Sequence, residues 1–274
     1  MRWSWQMCFV LFVCGFVAGC ENSLESIKDK RVIRIGILYD LPPFSYVDSR
    51  GEFGGLEVQL GRKIAKDLLG DESRAEFVAI ENRVQESGLL DSGAIDIALS
   101  CTSEADTTAT STASMPYMRA TISVVGRVGS PSGIQALLSP ARLARLLVRE
   151  DSPAQADFAE NYPQIPLSTC ESLAHCVQTL RQSQATSHDQ AFYFADLDII
   201  AMLFVRENPD FTLIAESLGD PKPCVPRVKS THTSLKTWLD KEIATLHKEG
   251  VLNQSFFSQA FQSALERTQT EPKP

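Results

Sequence analysis

Residues 32–99 alternate between two hydrophobic periods, and that alternation restricts the chain to a small set of folds. Val32-Ile33-Arg34-Ile35-Gly36-Ile37-Leu38 is rich in β-branched residues and reads as a strand. Leu56, Leu60, Ile64 and Leu68 then recur four apart, with Val58 and Ala65 beside them. This predicts a helix over about 55–69, closed by Gly70. Residues 75–80 read as a strand and about 84–91 as a helix ending at Ser92-Gly93. Ile95-Asp96-Ile97-Ala98-Leu99 reads as a buried strand. Strands and helices taken in turn predict an α/β unit with a largely parallel sheet. Asp40-Leu41-Pro42-Pro43-Phe44 interrupts the series as an extended loop, because its two prolines lack amide donors.

The rest of the chain continues the pattern less regularly. The Ser/Thr-rich stretch 101–114 reads as a loop, and 121–125 as a strand. Residues 136–148 hold a helical patch, or else a strand at Leu146-Leu147-Val148. Asp151-Ser152-Pro153 is a helix start, a capping residue followed by proline. A helix over 171–182, a strand over 190–194 with Asp196 at its end, an apolar run over 199–205 and a strand over 212–214 follow. Helices over 235–246, ended by Gly250, and over 253–265 close the chain.

Before the fold lies an address. An apolar run, Met7 to Val17, follows Arg2 and ends in Val17-Ala18-Gly19-Cys20, the layout of a secretory signal with small residues before the cut. A run this short is a poor membrane span, which needs about 20 residues. Cysteine directly after the small pair resembles a bacterial lipobox. That resemblance implies cleavage before Cys20, lipid (palmitate among its acyl chains) on the Cys20 sulfur, and work in the periplasm or cell envelope. Residues 1–19 are then signal peptide, and the polar residues 20–30 a lipidated tether.

Composition narrows the partners. The net charge is −8, and losing Arg2 with the signal makes it −9. An acidic chain without a basic cluster excludes nucleic acid, whose binding rests on neutralising phosphates. Beyond Cys20 four cysteines remain, Cys101, Cys170, Cys176 and Cys224, and export permits disulfides. Three pairings are open. Cys170 and Cys176 could pair only if Cys170 precedes its helix, since six helical residues span about 9 Å and a disulfide reaches about 7 Å. The spacings are not those of a zinc cluster, and His175, His188, His232 and His247 are scattered, so no metal or cofactor is expected.

The order of these features resembles the type 3 extracellular solute-binding proteins, the amino-acid receptors of ABC transporters. The resemblance covers about residues 31–261. It rests on Val32 to Gly36 with Leu41-Pro42-Pro43-Phe44-Ser45, and on Gly51 with Gly55-Leu56-Glu57-Val58-Gln59-Leu60 and Ile64-Ala65. Asn82-Arg83-Val84 with Leu89, Ser92-Gly93 and Ile95-Asp96-Ile97 add to it, as do Met115-Pro116-Tyr117 and Val228-Lys229 with Leu235 to Gly250. It implies a two-lobed clamshell of the type II periplasmic binding class, each lobe a mainly parallel sheet flanked by helices. Lobe 1 would take residues 31–122 and 223–265, lobe 2 residues 123–222, with 266–274 a flexible tail. A small-molecule solute would lie between the lobes, and an ABC permease would be the partner.

The same resemblance assigns a site. Phe44, with Tyr46 as a second candidate, would stack on the ligand; the alternative for Phe44 is core packing. Ser100 and Thr102 would offer hydroxyl and backbone donors. Arg83 would contact an acidic ligand side chain, or else cap a helix. Asp196 would pair with the ligand ammonium. Two departures stand out. The arginine that clamps the α-carboxylate falls at Thr107, and no Arg or Lys occurs between Asp96 and Met115. The Gly-Ser pair that offers helix amides is here Asp151-Ser152, and an aspartate there repels an anion. A cationic or neutral solute is expected, or the recruitment of Arg119 or Arg83. The rival readings are a sensor or interaction lipoprotein on the same scaffold and, more remotely, a dehydratase-like enzyme using Glu57, Glu81 or Glu104 as acid. No Ser/His/Asp motif, P-loop or dinucleotide fingerprint is present.

Overall fold

The computed structural model describes residues 23–102, 108–138, 143–186, 190–253 and, beyond those, 256, 258–259, 261–264 and 266. The expected signal peptide, Cys20 and nearly all of the tail lie outside the described residues. The chain opens on α1 (Ser23–Lys30) and β1 (Ile33–Leu38), then β2 (Asp40–Leu41), β3 (Ser45–Val47) and β4 (Phe53–Gly54). Next come α2 (Leu56–Leu69), β5 (Ala75–Ile80), α3 (Arg83–Ser92), β6 (Ile97–Thr102), β7 (Ser111–Ala113) and β8 (Met118–Arg127). The second half holds α4 (Gln135–Leu138), β9 (Leu143–Arg149), α5 (Pro153–Asn161), β10 (Leu167–Cys170), α6 (Leu173–Thr186), β11 (Gln190–Leu197) and α7 (Asp198–Glu207). The long β12 (Phe211–Lys229) and α8 (Thr233–Lys248) complete it.

The main strands follow the order β10-β9-β11-β8-β12-β6-β1-β5, with β7 also on β12. In lobe 1, β5 and β6 flank β1 in parallel; in lobe 2, β10 and β11 flank β9 in parallel. Between these parallel groups, β8 and β12 run antiparallel to each other. Strand β12 pairs with β8 up to Cys224 and with β6 and β7 from Val225 onward, so one strand serves both halves. A disulfide from Cys101 at the end of β6 to Cys224 fastens this crossing. The second disulfide joins Cys170 to Cys176: Cys170 ends β10 and Cys176 lies on α6, with 5.3 Å between Cα atoms. The cysteine thus precedes its helix, as the spacing requires.

Four segments take a form that the sequence left open or read otherwise. Residues 23–30 are not an open tether: they form α1, whose Ile27 is buried in the core that includes Leu235 and Leu239 of α8, with Ser23 Oγ 3.4 Å from Ser234 Oγ. The ambiguous 136–148 segment is a short helix followed by the strand β9. Strand β9 is central, and its two faces point into different cores, Leu147 into one and Leu146 and Val148 into the other, so all three are buried and read as a continuous apolar run. Residues 199–205 belong to α7, started by Asp198, whose Oδ1 accepts from Ile199 N. Within the Ser/Thr-rich stretch, Ser111–Ala113 becomes a strand because β12 offers it an edge.

The loop before α2 decides where Phe44 goes. Its peptide between Pro42 and Pro43 is cis. The Pro43 carbonyl accepts from Leu56 N and the Phe44 carbonyl from Glu57 N, so the loop satisfies the first amides of α2. Gly55 sits against it at φ 108, where a Cβ would lie 2.4 Å from the Phe44 oxygen. Only glycine fits there without strain.

Candidate functional site

A cleft of about 420 Å³ lies between the lobes. Lobe 1 lines it with Leu38, Tyr39 and Asp40 at the end of β1 and with Ile80, Glu81 and Asn82 after β5. Lobe 2 lines it with Arg149 and Glu150 at the end of β9 and with Glu171, Ser172 and Leu173 at the start of α6. All are near the carboxyl ends of parallel strands, where open α/β sheets place their ligands. A second hollow of about 600 Å³ lies between α7 and the C-terminal residues. Its walls are mainly apolar, Ile199, Met202, Val205, Leu213 and Phe261 among them, and it lacks the convergent charges of the cleft.

Two polar bonds already cross the cleft. Arg83 Nε donates to the Asp151 carbonyl at 2.9 Å, and Asp40 Oδ2 accepts from Ala174 N at 3.4 Å, placing a lobe 1 carboxylate at the N-terminus of α6. Asn82 caps α3 by accepting from Gln85 N, so Arg83 projects from a fixed helix start.

The expected site residues are scattered by the fold. Phe44 is fully buried within the core, turned inward by the loop whose carbonyls cap α2. Phe44 is not among the residues that line the cleft. Tyr46 is also buried, against Leu203, Phe261 and Ala264. Ser100 donates to Glu86 Oε2 at 2.7 Å, inside lobe 1. Thr102 ends β6, its backbone paired with Val225. Ser152 caps α5 by accepting from Gln155 N at 3.2 Å, so the helix end is satisfied by its own chain. Asp151 before it holds φ 54, a conformation that suits the glycine the resemblance expects there. Arg119 lies on β8, bonded to the Pro221 carbonyl away from the cleft. Thr107 and Glu104 fall outside the described residues.

Asp196 is present at the end of β11 but fully buried. Arg149 holds it with a fork, Nε to Oδ2 at 2.7 Å and Nη2 to Oδ1 at 3.3 Å, and Leu197 N donates to Oδ1 at 2.8 Å. Parallel pairing of Ala195 with Val148 sets the two side chains next to each other. Arg149 is a cleft-lining cation that the family resemblance does not point to. The available signal was its place: a cation at the carboxyl end of a buried strand, just before a helix cap. Tyr39, 44 % exposed, is the aromatic at the cleft, three residues before Pro42.

Glu57, one of the carboxylates considered as an acid, is sealed in lobe 1. Tyr117 and Ser45 donate to its two oxygens, and burial pushes its pKa up to about 7 against those bonds. Glu81 does line the cleft. Among the described residues no cluster of His, Cys, Asp and Glu could hold a metal, and no helix is long and apolar enough to cross a membrane.

Residues 33–258 match the bacterial extracellular solute-binding proteins, family 3. The chain belongs to this family. It is 24 % identical to the ABC transporter glutamine-binding protein GlnH of Bacillus subtilis, over 84 % of this chain and 81 % of that one. Among solved structures, the solute receptor for L-cysteine of Neisseria gonorrhoeae superposes with a TM-score of 0.72 at 27 % identity, covering 92 % of this chain and 97 % of that one. The cysteine-binding protein of Campylobacter jejuni gives 0.71 at 29 %, covering 89 % and 93 %. The fold is therefore that of the type II periplasmic binding proteins, and the family is one of amino-acid ABC transporter receptors.

Proposed function

We propose that this chain is a receptor, not an enzyme, that captures a small amino-acid-like solute between its lobes for an ABC transporter while lipid on Cys20 holds it at a membrane. The observation that carries this reading is the cleft, lined from both lobes by charged side chains at strand ends. A solute there touches both lobes at once. Its full set of contacts exists only when the lobes are together, so binding shifts the population toward closure. The amino acids named for the relatives support the solute class.

The site departs from the usual one. With no cation between Asp96 and Met115, and with Asp151 before the cap of α5, the standard α-carboxylate clamp is missing. This favours a cationic or neutral solute. Only Glu21 and Asn22 separate Cys20 from α1, which would keep a lipidated receptor close to the membrane and to its permease.

Native mass spectrometry of the mature chain, purified without refolding, tests the reading together with thermal shifts against amino acids and small amines. The expected result is a co-purified small molecule and a saturable rise in Tm. A bound ligand at a hundred times its Kd adds about 2.7 kcal/mol. If nothing co-purifies and nothing stabilises the chain, the reading fails.

A further inference from the structure

The charges of the cleft are unevenly distributed. Four carboxylates line it: Asp40 and Glu81 from lobe 1, Glu150 and Glu171 from lobe 2. Among the described residues two cations meet them: Arg149, whose charge is already matched by Asp196 behind it, and Arg83, which reaches across the cleft to the Asp151 carbonyl. Asp196 is 0 % exposed and both its oxygens are engaged, Oδ2 by Arg149 Nε and Oδ1 by Arg149 Nη2 and Leu197 N. A ligand ammonium reaches that carboxylate only by evicting a guanidinium held in two-point geometry, which is the strong form of such a pair. Arg149 itself is 12 % exposed at its side chain and lines the cleft. Its Nε and Nη2 are committed to Asp196, and Nη1 has no protein partner among the described residues.

Resting on the proposal of solute capture in this cleft, we infer that Arg149, and not Asp196, meets the solute, taking its carboxylate, while the surrounding carboxylates select a second, cationic end. The class that satisfies both is the basic amino acids. Asp196 is then a positioning residue: it fixes the plane of the guanidinium and leaves one edge for the ligand. A neutral amino acid engages Arg149 but leaves the excess of carboxylates uncompensated by a cationic side chain. An acidic one adds to that excess. A diamine offsets it but gives Arg149 no anion. Each comparison follows from like charges repelling and opposite charges attracting within one cleft.

Titration calorimetry of the mature chain with L-lysine, L-arginine, L-glutamine, L-glutamate and 1,5-diaminopentane tests this. A basic amino acid should bind at least about tenfold tighter than glutamine, with glutamate weakest. Arg149→Gln should weaken the basic amino acid by about tenfold or more while the diamine changes little. That variant leaves Asp196 buried without its partner, so the double variant Arg149→Gln/Asp196→Asn, which removes both charges, serves as the folded comparison. Tightest binding by glutamine or glutamate, or an unchanged affinity for the basic amino acid in the folded double variant, overturns the inference and leaves solute capture standing. Failure of every probe, together with no co-purified molecule, overturns solute capture itself and the inference with it.

Discussion

The hydroxyl of Tyr117 donates to Glu57, 60 residues earlier in the chain, and joins the start of α2 to the residue just before β8. Ser45 donates to the other oxygen, Cys101 N donates to the Tyr117 hydroxyl, and the Glu86 carboxylate is close enough to push Glu57 further up. Burial dominates, raising Glu57 from 4.5 to about 7, while burial and Glu57 keep the Tyr117 hydroxyl protonated. Between those two values the folded chain holds a proton that the unfolded chain has lost. Stability is therefore greatest below pH 4.5 with respect to this group and declines as pH rises through about 7. Each unit is worth about 1.4 kcal/mol, so the full effect is on the order of 3 kcal/mol. Urea unfolding across this window should show the decline, and Glu57→Gln should flatten it. Glu242 on α8, raised to about 7 by burial and by Asp67, contributes in the same direction and calls for a Glu242→Gln control.

The two disulfides close loops of very different size. Cys101–Cys224 spans 123 residues and Cys170–Cys176 spans 6. Loop-closure entropy predicts about 5 kcal/mol for the first and about 2 kcal/mol for the second. Cys101→Ala/Cys224→Ala should lower the unfolding free energy more than Cys170→Ala/Cys176→Ala. Equal losses in chemical denaturation would contradict this account of the crossing.

Arg83 reaches the Asp151 carbonyl across the cleft from an exposed helix start. A net hydrogen bond is worth about 1 kcal/mol, or about fivefold in an equilibrium. Arg83→Ala should shift the ligand-free population toward the open form by that factor, with little change in Tm. Distance distributions between spin labels on α3 and α5 would read the shift. Asn82→Ala should instead cost about 1 kcal/mol of stability through the lost cap.

Lipid on Cys20 predicts that the full chain sediments with membranes and takes up labelled palmitate. Cys20→Ser should release it into the soluble fraction with its fold intact. A Cys20→Ser chain that still sediments would remove the anchor from the proposed function.

Local pattern carried much of the fold, and contact with neighbours carried the rest. The apolar faces of α2 and α8 and the run in β1 appear in the sequence because each buries a periodic face. Strand β9 was ambiguous because a strand buried on both faces has no period to read. Residues 111–113 looked like a loop because Ser and Thr there gain strand geometry only from β12. The site was less legible still. Phe44 and Ser100 have the residue types a ligand would want, but the bonds at the start of α2 and the Glu86 carboxylate turn them inward.

By itself the sequence determined the α/β class, the family, the condition under which Cys170 and Cys176 can pair, and the lack of any Arg or Lys between Asp96 and Met115. Each is written in spacing and residue identity along one stretch of chain. Only the tertiary structure decided which charges face the cleft. Arg149 and Asp196 are 47 residues apart, and nothing local relates them. Parallel pairing of β9 with β11 brings them side by side, and Asp196 is buried behind the guanidinium that lines the cleft.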